Sequence, residues 1–408
     1  MMAFTALSCM ILAVCGIVVL WKENLLSRTR DLWIVSGLCV FAVCVRLACI
    51  NHVTPDYIKF LFRWMKYFRQ NGGFSALSGN IGNYNVPYLY FLALFSYFNF
   101  DDLYLIKLLS IAFDFVLAWG CLKLVGLFTE STLRRIVAFL AVLFLPSVVL
   151  NGACWGQCDS TYVAFAVWSL YFALSERPIR SVICITLSFA FKLQSVFIMP
   201  IFLVLIFAKR VRWWHLLFFP LVYLAIVAPA LLLGKPLVET LTLYISQGHT
   251  VGSGLNYNSP SVFSFFSNIT DKAEASWLGI IAAFSLVFII FLWTYLHRSR
   301  LSNQTILLCA LLFSVGIPYL LPYMHDRYFF SADILSLAVA VILPKYAPIP
   351  ALVSFASLLG YHVYLRGWYL LPMRYGAVAL GLVLVIIIAA IATEFYRVLR
   401  QHQNAEKS

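Results

Sequence analysis

The chain has 408 residues, of which 63% are hydrophobic and only 11% charged, with a mean hydropathy of +0.91. So few polar residues cannot cover a soluble domain of this size, which excludes a water-soluble enzyme and leaves a polytopic helical membrane protein. The net charge of +13 sits in short segments between apolar runs, where cations orient membrane spans, and gives no ground for a nucleic-acid partner.

Several apolar runs approach the ~20 residues that cross a bilayer. Residues 3–21 form the first span, with neither the basic start nor the small-residue cleavage site of a removable signal. Lys22, Arg28 and Arg30 place the next loop in the cytoplasm, and residues 32–50 return outward. Residues 51–90 then form an outer loop. In it Thr54-Pro55-Asp56-Tyr57 opens a short helix, with Asp56 in the first turn near the free amides of the helix start. Helical period puts Tyr57, Phe60, Leu61, Trp64 and Phe68 on one side and Lys59, Arg63, Lys66 and Gln70 on the other. Such a helix lies flat in a membrane interface and presents cations to lipid phosphates.

Residues 87–98 are apolar but short and read as a partial insertion; residues 103–128 cross back to Arg134 and Arg135. Residues 136–153 go out and 161–174 come in. The run 181–208 is broken at Lys192-Leu193-Gln194-Ser195 and followed by Lys209, Arg210 and Arg212. A hairpin of two short helices keeps those three cations inside and carries Lys192 to the outer face. Residues 213–233 exit to a large outer loop, 234–276, which contains the sequon Asn268-Ile269-Thr270. Spans at 277–296, 306–323, 329–343, 349–364 and 375–395 complete an all-α bundle of about 12–13 membrane segments, one domain over 1–408. The ten cysteines follow no framework spacing and read as small buried apolar residues.

Of sixteen carboxylates, this topology sends Glu23, Asp31, Glu130, Glu176, Glu394 and Glu406 to the cytoplasm and leaves Asp114 within a span. The rest, including Asp56, Asp159, Asp326 and Asp333, fall at or near the outer face. Intramembrane ionisable groups are costly and are functional candidates by default, and Asp114 and Arg46 both qualify. The other reading is structural, with the two charges able to pair and Asp114 a buried tie between helices. Three polar clusters share the outer face with Asp56. Trp155-Gly156-Gln157-Cys158-Asp159 offers amide and carboxylate groups for sugar hydroxyls, or simply a helix cap. Lys192 and Gln194 sit at the break of a membrane hairpin, where discontinuous helices line sites, although a lysine there can merely snorkel. His325-Asp326-Arg327-Tyr328 offers two potential cations and a phenol for a phosphate, or a salt-bridged span end.

These segments, in this order, resemble GT-C type integral-membrane glycosyltransferases, specifically the mannosyltransferases related to PIG-V. The resemblance runs through Asp56-Tyr57 with Trp64, Tyr84-Asn-Val-Pro87-Tyr88-Leu-Tyr90, Asp114, Trp155 to Asp159, Lys192-Leu-Gln194, Asn256-Tyr-Asn258-Ser-Pro260-Ser261 and His325 to Tyr328. The chain departs from the family pattern at Asp326, where Glu is usual, at Leu193, where Pro is usual, and in keeping one proline at Pro87. The resemblance implies an inverting transfer of a hexose, mannose foremost, from a polyprenyl phosphate to a glycolipid or glycan acceptor on the extracytoplasmic or luminal face of a bacterial plasma membrane or endoplasmic reticulum. Asp56 is then the general base. His325, Arg327, Tyr328 and Lys192 bind the donor phosphate, and Trp155, Gln157, Asp159, Gln194, Asn258, Tyr57 and Tyr88 contact sugar or acceptor. No metal or other cofactor is expected, because cations already face the phosphate. The alternative is a lipid-linked sugar flippase or transporter, which more often shows internal repeats and midplane polar residues; a non-catalytic scaffold is the third.

Overall fold

The computed structural model describes residues 2–249, 254–266 and 270–407; Asn268 of the sequon lies outside them. The chain is 79% helical, and the strands among the described residues are two, each of two residues. Among the described residues, eight helices are long and apolar enough to span a membrane, or up to nine if one bent pair counts as a single span. Four shorter apolar helices accompany them. The bundle is all-α and polytopic. Large apolar side chains such as Trp33, Phe41, Phe284 and Phe288 are exposed in a way that water does not tolerate and lipid does.

In chain order the helices are α1 (Met2–Lys22), α2 (Thr29–Cys49), α3 (Phe62–Gln70), α4 (Val86–Phe95), α5 (Asp102–Gly126), α6 (Thr132–Phe144), α7 (Pro146–Val149), α8 (Asp159–Leu174) and α9 (Pro178–Phe191). There follow α10 (Ile201–Phe207), α11 (Phe218–Leu232), α12 (Leu237–His249), α13 (Lys272–Leu296), α14 (Asn303–Leu320), α15 (Phe330–Ile342), α16 (Pro348–Arg366) and α17 (Arg374–Lys407). Caps set several starts: Asp101 Oδ1 accepts from the Leu103 amide at 2.9 Å, and Asp271 Oδ1 from the Glu274 amide at 2.9 Å. Proline opens α9 and α16, where its missing N–H costs nothing.

These elements gather into two compact units that interleave along the sequence. One comprises residues 1–171, 181–195 and 217–251; the other comprises 172–180, 196–216 and 252–408. Because the chain passes repeatedly from one to the other, no linker or change of composition marks a boundary.

In the first unit α5 packs on α1 and α6, and α1 on α2. Glu23 at the end of α1 is salt-bridged to Lys123 at 2.9 Å and to Arg135 at 3.0 Å. The opposite end of α2, some 30 Å away by helical rise, leads into Asn51, whose side chain accepts from the Tyr104 hydroxyl at 2.9 Å. Residues expected in the cytoplasm therefore share one end of this unit, and the Asn51 loop lies at the other. Within that loop, a π-helical turn (Tyr57–Leu61) runs into α3. Tyr57, Leu61, Trp64 and Phe68 are buried and Lys59, Arg63, Lys66 and Gln70 exposed, as the helical period predicts. Phe60 departs from it: the wide π turn rotates this ring outward, and Met65 takes the inner place. Ile58, Phe60 and Phe62 thus lie exposed beside the cations. The expected outward span at 136–153 is bent by 45° between α6 and the segment that starts at Pro146.

In the second unit α14 is the most enclosed span and packs on α13, α15 and α17, with α16 against α15 and α17. The run 181–208 is two short helices, α9 in the first unit and α10 in the second, and within the second unit Arg210 is 3.2 Å from Glu176. The segment 234–276 is not all loop: its part in the first unit holds α12, a 13-residue helix, and its part in the second unit holds strand β1 (Asn256–Tyr257). β1 pairs in parallel with β2 (Met324–His325), Tyr257 opposite His325.

Candidate active site

In the first unit, the backbone before the Asp56 helix is fixed first. Lys107 on α5 is fully buried and donates to the carbonyls of Ile50 at 2.8 Å and His52 at 2.6 Å. Buried Thr54 donates to the Trp155 carbonyl at 3.0 Å while its hydroxyl oxygen accepts the Tyr57 amide at 3.4 Å. Thr54 thus serves the first turn, and the Asp56 carboxylate turns to side chains. Its Oδ2 accepts from Trp155 Nε1 and from Gln157 Nε2, both at 3.0 Å. Asp56 is half-buried, whereas Trp155 and Gln157 are buried.

Trp155 and Gln157 owe their positions to a break in helical structure. After α7 the chain widens into a π-helical turn (Leu150–Trp155) that ends at Gly156, whose φ of 84° only glycine adopts without strain. The Gln157 carbonyl accepts from the Ser110 hydroxyl at 2.6 Å. Its side chain is a junction: Nε2 donates to Asp56, and Oε1 accepts from the Tyr84 hydroxyl at 3.0 Å and from Lys192 Nζ at 3.4 Å.

Lys192 closes the network. Its ammonium donates to Asp159 Oδ1 and stands 5.6 Å from the centre of the Tyr84 ring. The lysine and aspartate side chains are 4% and 2% exposed, so each depends on the other for charge compensation. Asn151 completes the site, donating to Asp159 Oδ2 at 2.6 Å and accepting the Asp159 amide at 3.2 Å. Behind these residues, Arg46 and Asp114 do pair. Arg46 Nε donates to Asp114 Oδ2 at 2.9 Å, and the Ser160 hydroxyl donates to Asp114 Oδ1 at 2.5 Å.

Asp56, Trp155, Gln157, Asp159 and Lys192 therefore form one hydrogen-bonded group, as their sequence positions suggest. Three other residues assigned to the substrate sit differently. Tyr57 is buried, with Leu103, Asp101 and Asp102 around its phenol, whose pKa burial pushes up. Tyr88 is 1% exposed and stacks edge-on against Tyr84 at 4.9 Å, so it supports the site from behind. Gln194 lies in a 3-10 turn (Leu193–Phe197), where its Oε1 is buried with no hydrogen-bond partner. Lys192, read from the sequence as a phosphate ligand, is in this structure engaged by Asp159. Sequence reasoning missed Asn151, Ser110 and Ser160. Asn151 had a signal, as a lone amide in an otherwise apolar run; the two serines had none.

The second unit gathers the other assigned residues. His325 stacks on Tyr257 at 4.7 Å and lies 5.2 Å from the Tyr328 ring. Asn258 bridges to His325 through the backbone and accepts from the Tyr369 hydroxyl. Arg327 Nη1 stands 3.7 Å from Asp326 Oδ1, beyond hydrogen-bond range, so that contact is a loose one. His325, Arg327 and Tyr328 all keep partial exposure, while Asp326 and Asp333 are buried. Among the described residues, no group of three or more His, Cys, Asp or Glu is placed to hold a metal ion.

A family model described as Glycosyltransferase family 87 matches residues 83–322, more than half of the chain. The chain belongs to Glycosyltransferase family 87. The match spans Tyr84, the Trp155 to Asp159 group, Lys192 and Asn258, while Asp56 precedes it and His325 to Tyr328 follow it. A comparison with curated proteins finds no match. As a family 87 glycosyltransferase, the protein uses a sugar donor and an acceptor, and its apolar helices make it an integral multi-pass membrane protein.

Proposed function

We propose that this family 87 enzyme is an inverting GT-C type hexosyltransferase that moves mannose, foremost among hexoses, from a polyprenyl phosphate to a lipid-linked or glycan acceptor. It works on the extracytoplasmic or luminal face. The observation that carries the reading is the Asp56 carboxylate, half-buried and fixed at Oδ2 by Trp155 and Gln157. A carboxylate held in place at the edge of a membrane bundle is suited to accept a proton. In the proposed reaction Asp56 takes the proton of an acceptor hydroxyl, and that oxygen attacks the anomeric carbon. The bond from that carbon to the phosphate oxygen breaks, and its electron pair leaves with the polyprenyl phosphate. Single displacement inverts configuration, so a β-linked donor yields an α-glycoside. The charge that develops on the leaving phosphate calls for cations and donors; His325, Arg327 and Tyr328, gathered in the second unit, are assigned that role. Lys192, also assigned to the donor phosphate, donates to Asp159 in this structure.

The test uses the purified enzyme and Asp56→Asn in detergent, with a synthetic prenyl-phosphate mannose and membrane lipid extract. Release of prenyl phosphate and transfer of sugar are followed together. The proposal expects transfer by the wild type and none by a folded Asp56→Asn. Equal activity of the two removes Asp56 as the base, and movement of the donor across vesicles without transfer selects the flippase reading instead.

A further inference from the structure

The first unit holds a second feature, a cleft of about 320 Å³ between residues 80–86 and α12, with its opening to the outside. Its lining sets amides and hydroxyls, Asn80, Asn83, Thr242, Ser246 and Gln247, among apolar groups of Ile81, Val86 and Leu243, with Tyr84 also in the wall. Its two charged residues, Lys235 and Glu239, offset one another, and the Lys235 ammonium donates to the Gly79 carbonyl at 3.2 Å. A phosphate or carboxylate needs a surplus of cations. The Thr242 and Ser246 hydroxyls donate to the Val238 and Leu243 carbonyls, and Gln247 to that of Asn83, so their oxygens are left to accept. The Asn80 and Asn83 side-chain amides can both donate and accept, which suits neutral hydroxyls.

Two further observations place the cleft. Tyr84 donates from its hydroxyl to Gln157 Oε1 at 3.0 Å, and Gln157 donates to Asp56 at 3.0 Å, so a single residue, Gln157, links Tyr84 in the cleft wall to the Asp56 carboxylate. α12 itself is two-faced: Thr242, Ser246 and Gln247 line the cleft, while Leu237, Val238, Leu241 and Ile245 are exposed. A helix of that kind beds its apolar face in lipid and keeps its polar face wet.

We infer that this cleft is a carbohydrate-binding site for a neutral, hydroxyl-rich saccharide, the headgroup of the acceptor. Its role as acceptor site rests on the transferase reading; its binding of saccharide does not. The wall is close-built. Gly82 has a φ of 70°, a Cβ there would stand 2.8 Å from the Trp64 indole, and the Tyr84 ring meets that indole edge-on at 5.4 Å, so two residues of the wall touch a fluorophore.

The experiment measures binding without turnover. Full-length protein in nanodiscs is titrated with mannotriose, maltotriose and isomaltotriose, with inorganic phosphate as control, and followed by tryptophan fluorescence and saturation-transfer NMR. At least one trisaccharide is expected to bind, phosphate not to compete, and Asp56→Asn to bind as the wild type does. Ser246→Trp, which fills the cleft from an exposed position, and the milder pair Asn83→Ala with Thr242→Ala are each expected to weaken binding about tenfold or more. No binding by any trisaccharide, or binding unchanged in both variants, overturns the inference. An inactive donor leaves this test intact, so its outcome is separable from that of the transferase assay. A glycolipid carrying the trisaccharide that binds then distinguishes sources. Tighter binding than the free sugar assigns the cleft to a lipid-borne acceptor, and equal binding assigns it to a soluble glycan.

Discussion

The indole of Trp155 donates to Asp56 Oδ2 at 3.0 Å while the Trp155 carbonyl accepts the Thr54 hydroxyl at 3.0 Å. One residue thus fixes both the carboxylate and the backbone that carries it. A hydrogen bond to a charged group contributes about 1.5–3 kcal/mol. Trp155→Phe keeps the packing and deletes the donor, so kcat is expected to fall about ten- to a hundredfold. Asp56→Asn should cost a hundredfold or more, as for loss of a general base. Gln157→Leu should resemble Trp155→Phe. Steady-state kinetics, with thermal unfolding to show that each variant folds, checks the order. A Trp155→Phe enzyme with unchanged kcat removes the positioning role.

Arg46 and Asp114 make a different prediction, because both are wholly buried and no substrate contact is assigned to either. Removing one member of such a pair leaves an uncompensated charge and typically costs about 3–5 kcal/mol, whereas apolar replacement of both is often neutral. Arg46→Met and Asp114→Leu are each expected to lower the unfolding midpoint sharply. The double variant should recover most of the stability and retain transfer. An inactive but stable double variant would instead place Asp114 in the chemistry.

Much of this site was legible because membranes make polar residues conspicuous. Asp56, Gln157, Asp159 and Lys192 stand out against apolar runs, and alternation of spans brings them to one end of the first unit. Pairing was legible too for Arg46 with Asp114, since neither charge is tolerated alone. Which partner each group takes was not. Lys192 reads equally well as a phosphate ligand and as the counter-ion of Asp159, and only the fold of the 188–195 break decides between them. Nor did the period show the π turns at Tyr57–Leu61 and Leu150–Trp155, which rotate Phe60 outward and aim Trp155 at Asp56. The extra residue in such a turn leaves no mark in composition. The two interleaved units were equally hidden, since contacts far apart in sequence define them.

Lys192 therefore carries a prediction that separates its two roles. If it holds Gln157 and Asp159 in place, Lys192→Met lowers kcat and leaves the donor KM within about twofold, and Asp159→Asn does the same. If it binds the donor phosphate, Lys192→Met raises the donor KM while Asp159→Asn does not. The ion pair with Asp159 and the 3.4 Å contact to Gln157 favour the first outcome. Donor titrations of both variants against the wild type decide it.

Gly360 on α16 marks a point where the second unit has no room for an added atom. A Cβ there would lie 2.8 Å from the Asp326 carbonyl oxygen and 3.0 Å from that of Asn258. Both atoms belong to the backbone around the β1–β2 pairing, so no flexible side chain can yield. Gly360→Ala must push the strands from the helix, and overpacking of this kind costs about 1–3 kcal/mol. Because His325 is held by Tyr257 and Asn258 through that pairing, the displacement also moves the group assigned to the donor phosphate. The variant is expected to unfold at lower temperature and to show a raised donor KM with acceptor KM unchanged. Gly367→Ala on the same helix end is a control for strain alone, since its φ is 80° and its Cβ would meet nothing within 4 Å. If Gly360→Ala loses stability but keeps its donor KM, the His325 group does not hold the phosphate.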